Sequence, residues 1–287
     1  MRGRPFRGGF HDFVIRKGGL EIFPRLVASA HPDPGASDRV SSSGIAELDA
    51  LIGGGLDFGT STLILGPSGS GKSTLALQFV HAALGKGEKA LFISFDETQR
   101  IFLHRAAGLG MDMSSYIDEG RFSFRQVDPA ELSPGGLRAI VRCHVEDNTT
   151  IVVLDSLSRY QHAMAAEQHM LLQMHEILTY LNQQGVLTFL ILAQTGMVGH
   201  MQSPIDLTYL SDNVMLLRFF EANGEIRRAL SAVKKRTGAH ESAIREFKID
   251  NGGVQVGPKL DGFRGVLTGT PVLEGKATLL EDRVAGK

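Results

Sequence analysis

Residues 66–73 read Gly66-Pro67-Ser68-Gly69-Ser70-Gly71-Lys72-Ser73, an instance of the pattern G-x-x-x-x-G-K-[ST]. What surrounds them decides the fold. An apolar run of strand length, 61–65, leads into the glycines, and a helical pattern over 73–84 leads out. In a strand–loop–helix unit of this kind the glycines let the loop curl until successive backbone N–H groups point inward at phosphate oxygens. The helix N-terminus adds a partial positive charge. Lys72 then reaches the β- and γ-phosphates, the Ser73 hydroxyl ligates Mg²⁺, and Thr74 follows in the first helical turn. ATP and Mg²⁺ are the ligands this unit leads one to expect.

Working outward, apolar runs alternate with helical stretches. Strands are expected over 90–95, 121–127, 151–154 and 186–193, and helices over 99–107, 136–145 and 166–183. In the last helix Met170, Leu171, Met174, Ile177, Leu178 and Leu181 recur at three-to-four spacing. This alternation is the signature of an α/β fold with a mostly parallel sheet. After residue 210 the pattern turns antiparallel, with strands over 213–219, 228–234 and 243–249 and a hairpin signal at Asn223-Gly224.

Ligands in open α/β sheets lie beyond the carboxyl ends of the strands, so polar residues at strand ends are the site candidates. Asp155 closes the run Ile151-Val152-Val153-Leu154 and suits the Mg²⁺ shell opposite Ser73. Asp96-Glu97 close the strand 90–95, where a carboxylate can orient and deprotonate the nucleophile that attacks the γ-phosphate. Which of the two acts stays open, as does the reading in which Asp96 or Thr98 caps the helix that follows. Gln194 ends the strand 186–193; it is either a γ-phosphate sensor feeding the loop 196–210 or an ordinary strand-end amide. Lys234-Lys235-Arg236 form the densest short basic cluster. Strand alternation puts Lys234 and Arg236 on one face and Lys235 on the other. They either decorate a solvated strand edge or serve a neighbouring subunit as an arginine finger. His240 reads as a structural or nucleotide-edge polar group. The histidines and the single cysteine show no metal-ligand spacing, which argues against zinc.

Composition narrows the partners. The 287 residues carry 30 basic and 31 acidic side chains, a near balance that argues against a nucleic-acid coat. Between Gly196 and Leu210 there is no Lys or Arg to neutralise phosphates. A lone Cys143, no secretory pattern and no apolar run long enough to span a bilayer point to a reducing, cytoplasmic setting without a membrane.

The 34 glycines exceed ordinary usage, and several sit in an internal repeat. Arg7, Gly9, His11, Asp12, Ile15 and Arg16 match Arg236, Gly238, His240, Glu241, Ile244 and Arg245. After a gap, Gly18, Gly19, Leu20, Ile22, Pro24, Arg25 and Leu26 match Gly252, Gly253, Val254, Val256, Pro258, Lys259 and Leu260. A period of this size marks duplication of a whole domain. The expected organisation is a remnant of a preceding domain over 1–30, a linker over 31–43, an ATPase domain over 44–260 and a tail over 261–287.

Taken together, the motifs resemble a known family. Gly44-Ile45-x-x-Leu48-Asp49-x-Leu51-Ile52-Gly53-Gly54-Gly55-Leu56 ahead of the glycine loop resembles the entry to RecA/RadA-type ATPases. Phe95-Asp96-Glu97-Thr98, Leu154-Asp155-Ser156-Leu157-Ser158, Val233 to His240 and Ala243-Ile244-Arg245-Glu246-Phe247 resemble the KaiC-like branch. The likeness runs over about 43–269. It implies a RecA-like P-loop NTPase fold and a homo-hexameric ring with ATP at the subunit interfaces. It also implies ATP hydrolysis, Lys234 and Arg236 touching a neighbour's γ-phosphate in trans, and Ser/Thr autokinase activity near that interface. A regulatory protein partner is in keeping with such a ring; clock function is not implied. Two departures stand out. The family usually shows Glu-Glu where this chain has Asp96-Glu97, and the family's Ser-Thr phosphosite aligns with Thr208-Tyr209. Thr208, Ser203 and Ser211 are the phosphorylation candidates. Two other readings draw on the same core: a DNA-binding RecA/RadA-type ATPase, and a nucleotide-gated scaffold with little turnover.

Overall fold

The structure, a computed structural model, describes residue 8 and residues 11–26, 38–163, 167–196, 203, 206–267, 272–273 and 279–280. Its centre is a nine-stranded sheet of order β13-β12-β11-β10-β5-β9-β8-β6-β7. The parallel part comprises β5 (Ser61–Gly66), β6 (Ala90–Ser94), β7 (Phe122–Gln126), β8 (Ile151–Asp155), β9 (Leu187–Ala193) and β10 (Asn213–Ala222). The antiparallel part adds β11 (Glu225–Lys235), β12 (Ile244–Asp250) and β13 (Gly253–Lys259). The expected α/β architecture, parallel and then antiparallel, is the observed one. At the β10–β11 turn Asn223 and Gly224 take φ values of 53° and 76°, the left-handed pair that a two-residue hairpin turn needs.

The central strands are buried on both faces, so their residues sort by alternation. Ile64, Phe92, Val153 and Ile191 face a layer made by α1 (Ala46–Leu51), α2 (Lys72–Leu84), α3 (Gln99–Gly108) and α4 (Ser114–Asp118). Leu63, Leu65, Ile93, Leu154 and Leu190 face the other layer, made by α5 (Pro134–Glu146), α6 (Leu157–Ala163) and α7 (Glu167–Gln183). In α7 Met170, Met174, Ile177, Leu178 and Leu181 are all buried, the stripe the spacing predicts; residue 166, where that helix was expected to start, lies outside the described residues.

Outside the main sheet, β1 (Asp12–Arg16) and β2 (Gly19–Phe23) form a hairpin of their own. It is tied to the α5–α7 layer: Arg138 pairs with both Asp12 and Glu176, and Glu176 also with Arg25. Arg7 and Gly9 of the repeat, and residues 31–37 of the expected linker, lie outside the described residues. The end of that stretch is anchored rather than free. β3 (Val40–Ser41) pairs with β4 (Leu56–Asp57), and the Asp49 carboxylate accepts from Ser42 Oγ at 2.5 Å and from the Ser43 amide at 2.7 Å. The described part of the expected tail also folds back. β14 (Phe263–Arg264) pairs with β15 (Val272–Leu273), and the Leu280 amide donates to buried Glu246 at 2.7 Å. Among the described residues no helix is long and apolar enough to cross a membrane.

Candidate functional site

The glycine loop leaves β5, which is buried throughout, and delivers the chain into α2. Gly71 caps that helix at φ 99°, and a Cβ there would stand 2.4 Å from Ile249 Cδ1 and 2.9 Å from Phe247 Cε1. Glycine is what lets β12 close against the mouth of the helix while the loop keeps its left-handed turn. Lys72 Nζ bends back over the loop and donates to the Pro67 carbonyl at 2.7 Å. Burial lowers its pKa to about 8, with Asp155 acting in the opposite direction. An incoming phosphate can take over this ammonium, whose hydrogen bond among the described residues goes to a neutral carbonyl.

Asp155 ends β8 next to that ammonium. Burial pushes its carboxyl up to about 6; a hydrogen bond from Ser73 and the charges of Arg105 and Lys72 oppose the rise, and the Asp96 charge adds to it. A buried carboxylate short of positive charge, touching a hydroxyl at a helix start, is a pair of hard oxygen donors of the kind Mg²⁺ takes alongside phosphate oxygens. Lys72, Ser73, Asp96, Glu97, Arg105 and Asp155 all line one cleft of about 380 Å³.

The two carboxylates at the end of β6 are held differently. Both main-chain amides turn onto Ser94 Oγ, at 3.3 Å for Asp96 and 2.9 Å for Glu97. Thr98, not Asp96, caps α3. Asp96 Oδ1 pairs with Arg159, which is largely exposed, whereas Glu97 is gripped through both oxygens by Arg105. Gln194 is bound to the start of the loop, its amide donating to the Gly66 carbonyl at 3.0 Å. Its Nε2 donates to Ser203 Oγ at 3.1 Å, while its buried Oε1 finds no hydrogen-bond partner among the described residues. Most of the loop it was expected to inform, 197–202 and 204–205, lies outside the described residues.

The remaining candidates gather elsewhere. Lys234 is level with Val214, which is level with Leu63, so it sits toward the N-terminal edge of the sheet, opposite the glycine loop. Its Nζ donates to the carbonyls of Thr208 at 2.9 Å and Ser211 at 2.6 Å. Arg236 pairs with Asp212 at 2.9 Å. Lys235 points to the other face, donating to the carbonyls of Ile52 and Gly55 at 2.9 and 3.0 Å. His240 is half-buried between Ala239, which crowds Gly53, and Glu241, whose amide bonds the Leu51 carbonyl. The structure thus brings Lys234, Arg236 and Thr208 together and keeps them away from the phosphate loop of their own chain. Thr208 Oγ1 donates to Asp206 at 2.6 Å near the surface; Ser211 is fully buried and donates to the Leu207 carbonyl.

Two residues escaped the sequence reading. Arg105 reaches the cleft from a helix face that carries no motif. Asp212 is a buried carboxylate just before β10, and nothing in its neighbours marks it except the strand start that follows.

The comparisons with known proteins agree in direction. Residues 41–261 match the family model described as "ATPase: KaiC". The chain is 29% identical over 273 residues to the circadian clock protein KaiC2 of Synechocystis sp., covering 94% of this chain and 48% of that one. It is 24% identical over 285 residues to KaiC3 of the same organism, covering 98% and 55%. To the circadian clock oscillator protein KaiC of Synechococcus elongatus it is 27% identical over 274 residues, covering 94% and 52%. The chain spans about half the length of these curated relatives.

Proposed function

This chain belongs to the KaiC family of ATPases, and from that premise we propose that it binds Mg-ATP in the cleft at Lys72, hydrolyses it, and assembles as a homo-hexameric ring with ATP at the subunit interfaces. The observation that carries the proposal is the split of the candidate residues between two ends of one sheet. The loop, Ser73, Asp155, Asp96 and Glu97 lie at one end, and Lys234, Arg236 and Thr208 at the other.

In this reading the loop amides and Lys72 hold the β- and γ-phosphates, and Ser73 and Asp155 hold Mg²⁺, whose charge would offset that of the triphosphate. Asp96 takes the proton of the attacking water, and Gln194, with its unpaired Oε1, orients that water. Lys234 and Arg236 stabilise charge on a neighbour's γ-phosphate. When the nucleophile is a hydroxyl instead of water, Thr208 is the acceptor the placement favours: it is near the surface and its carbonyl holds Lys234. Ser211 is enclosed, and Ser203 is held by Gln194 on the side of the chain's own loop.

Size-exclusion with light scattering, with and without Mg-ATP, tests assembly; phosphate release and intact mass on the same peak test hydrolysis and autophosphorylation. Equal phosphate release by wild type and Lys72→Ala would refute hydrolysis at this site. A mass that never gains a phosphate would remove the autokinase half. A second reading, a nucleotide-gated scaffold, is favoured by the ion pairs already occupying Asp96 and Glu97; ATP-dependent assembly with negligible turnover would select it.

The repeat supports a further part of the proposal, that β1–β2 is the closing hairpin of a preceding domain of the same kind. Leu20 and Ile22 match Val254 and Val256, which are buried in their own domain, yet Phe13, Ile15, Leu20 and Ile22 form an exposed face of cross-strand pairs.

A further inference from the structure

Arg105 is fixed on three sides. Its Nε and Nη2 donate to Glu97 Oε1 at 3.1 Å and Oε2 at 2.7 Å, and its Nη1 lies 3.4 Å from Thr74 Oγ1. Its guanidinium carbon stands 5.4 Å from the centre of the Phe102 ring, which is itself fully buried. The side chain therefore spans the cleft wall that carries the carboxylates and the first turn of the helix that carries Ser73. A planar fork of this kind fixes a carboxylate in direction as well as distance.

The consequence for the neighbouring carboxylates is asymmetric. Both Glu97 oxygens already accept from Arg105, so Glu97 turns toward a water elsewhere in the cleft only by giving up this bidentate grip. Among the described residues Asp96 pairs through Oδ1 with Arg159, whose side chain is 67% exposed and screened by water. Asp96 lines the same cleft. We propose that Arg105 is a positioning residue: it holds Glu97 out of proton transfer, leaves Asp96 as the general base, and sets the width of the cleft through Thr74. This rests on the reading that the cleft hydrolyses ATP.

The test is steady-state Mg-ATP hydrolysis by wild type, Asp96→Asn, Glu97→Gln, Arg105→Ala and the double variant Arg105→Ala/Asp96→Asn. Asp96→Asn should lower kcat about 100-fold or more, the scale of a lost general base, and Glu97→Gln less than about 10-fold. Arg105→Ala should lower kcat about 10-fold with KM nearly constant, because a base out of position is felt in the chemical step. The decisive readout is a reversal of sign. Removing Arg105 from the Asp96→Asn background frees Glu97, so the double variant should turn over at least about fivefold faster than Asp96→Asn alone, with a new acid limb in its pH profile. An arginine that only braces the fold cannot raise activity when removed. Arg105→Gln takes the place of Arg105→Ala if the alanine variant melts early. A double variant no faster than Asp96→Asn, or Glu97→Gln more damaging than Asp96→Asn, overturns the proposal while hydrolysis at the site stands. Wild-type hydrolysis no greater than that of Lys72→Ala overturns both.

Discussion

Replacing Asp212 separates a structural charge from the residue it carries. The carboxylate is buried between β5 and β10, where Oδ2 accepts from the Ser61 amide at 2.9 Å, Ser61 Oγ at 3.0 Å and Asn182 Nδ2 at 3.1 Å. Oδ1 accepts from Arg236 at 2.9 Å. In Asp212→Ala, Asn182 is half-exposed and turns to water, and the Ser61 hydroxyl rotates. The Ser61 amide is fully buried and has nowhere to turn. An unpaired buried donor costs about 1–3 kcal/mol, and the charge-assisted bonds lost with it about 1.5–3 kcal/mol. The expected loss is therefore about 3–5 kcal/mol, the range found when one partner of a buried charged network is removed. The half-exposed Arg236 pair adds little, because water screens it. Asp212→Asn keeps one acceptor oxygen for Ser61 and should lose only about 1–2 kcal/mol. Urea unfolding of nucleotide-free protein at fixed concentration, followed by circular dichroism, measures both. The Asn variant, folded but with its hold on Arg236 weakened, should also show lower ATP turnover than wild type. An alanine variant within about 1 kcal/mol of wild type would refute the accounting, because it would mean that water or a shifted backbone pairs the Ser61 amide.

Three further outcomes follow from the same geometry. Lys72→Ala and Arg236→Ala should each be nearly inactive alone, but mixed in equal amounts they should recover up to about a quarter of wild-type phosphate release, the fraction of interfaces that pair an intact loop with an intact finger; no recovery after subunit exchange refutes action in trans. Burial holds the His81 pKa below its ordinary 6.5, so the folded state favours the neutral ring. The stability this protects is complete above pH 6.5 and declines as the pH falls below it toward the lowered value; His81→Gln should flatten that part of a pH–melting profile, and an unchanged slope counts against it. Leu20→Ser with Ile22→Ser should leave the melting temperature nearly unchanged while reducing binding of a hydrophobic dye, since both side chains are more than half exposed; a large drop in stability would mean that this chain covers the face itself.

The legible parts of this molecule are those where sequence spacing and physical function coincide. Apolar runs placed β5 to β9 to within a residue, because a strand buried on both faces has few residue types to choose from, whereas β10 and β11 extend about three residues further toward their shared turn. The glycine loop was legible because its backbone shape excludes other residues, as Gly71 shows at φ 99°. Short elements were not. α1, α4 and α6, of 6, 5 and 7 residues, are too brief for a helical period to emerge, and tertiary contacts hold them instead. Long-range polar partners were equally silent. Arg105 lies 8 residues from Glu97 and 31 from Thr74, and Asp212 lies 151 residues from Ser61. No local pattern encodes which distant donor a carboxylate meets.

The division of the candidate site between two ends of the sheet follows from strand direction. Arg236 is tied through its amide to Asp212, whose own amide bonds Ser61 at the start of β5, whereas the phosphate loop leaves from Gly66 at the end of β5. Five residues of strand separate those levels, roughly 17 Å at about 3.3 Å per residue, and two intervening strand spacings add about 10 Å sideways. No arginine side chain spans that gap, so within one chain Arg236 and Lys234 cannot reach a phosphate held by Lys72. The chain nonetheless gives both cations directed partners, Lys234 two carbonyls and Arg236 a buried carboxylate. Ordering two long side chains at an edge costs conformational entropy. A strand edge that needed only charge for solubility would leave them loose. In the ring proposed above, cations held in one direction and out of reach of their own nucleotide would serve a second subunit's γ-phosphate, and the same arrangement would bring the Thr208 turn to it.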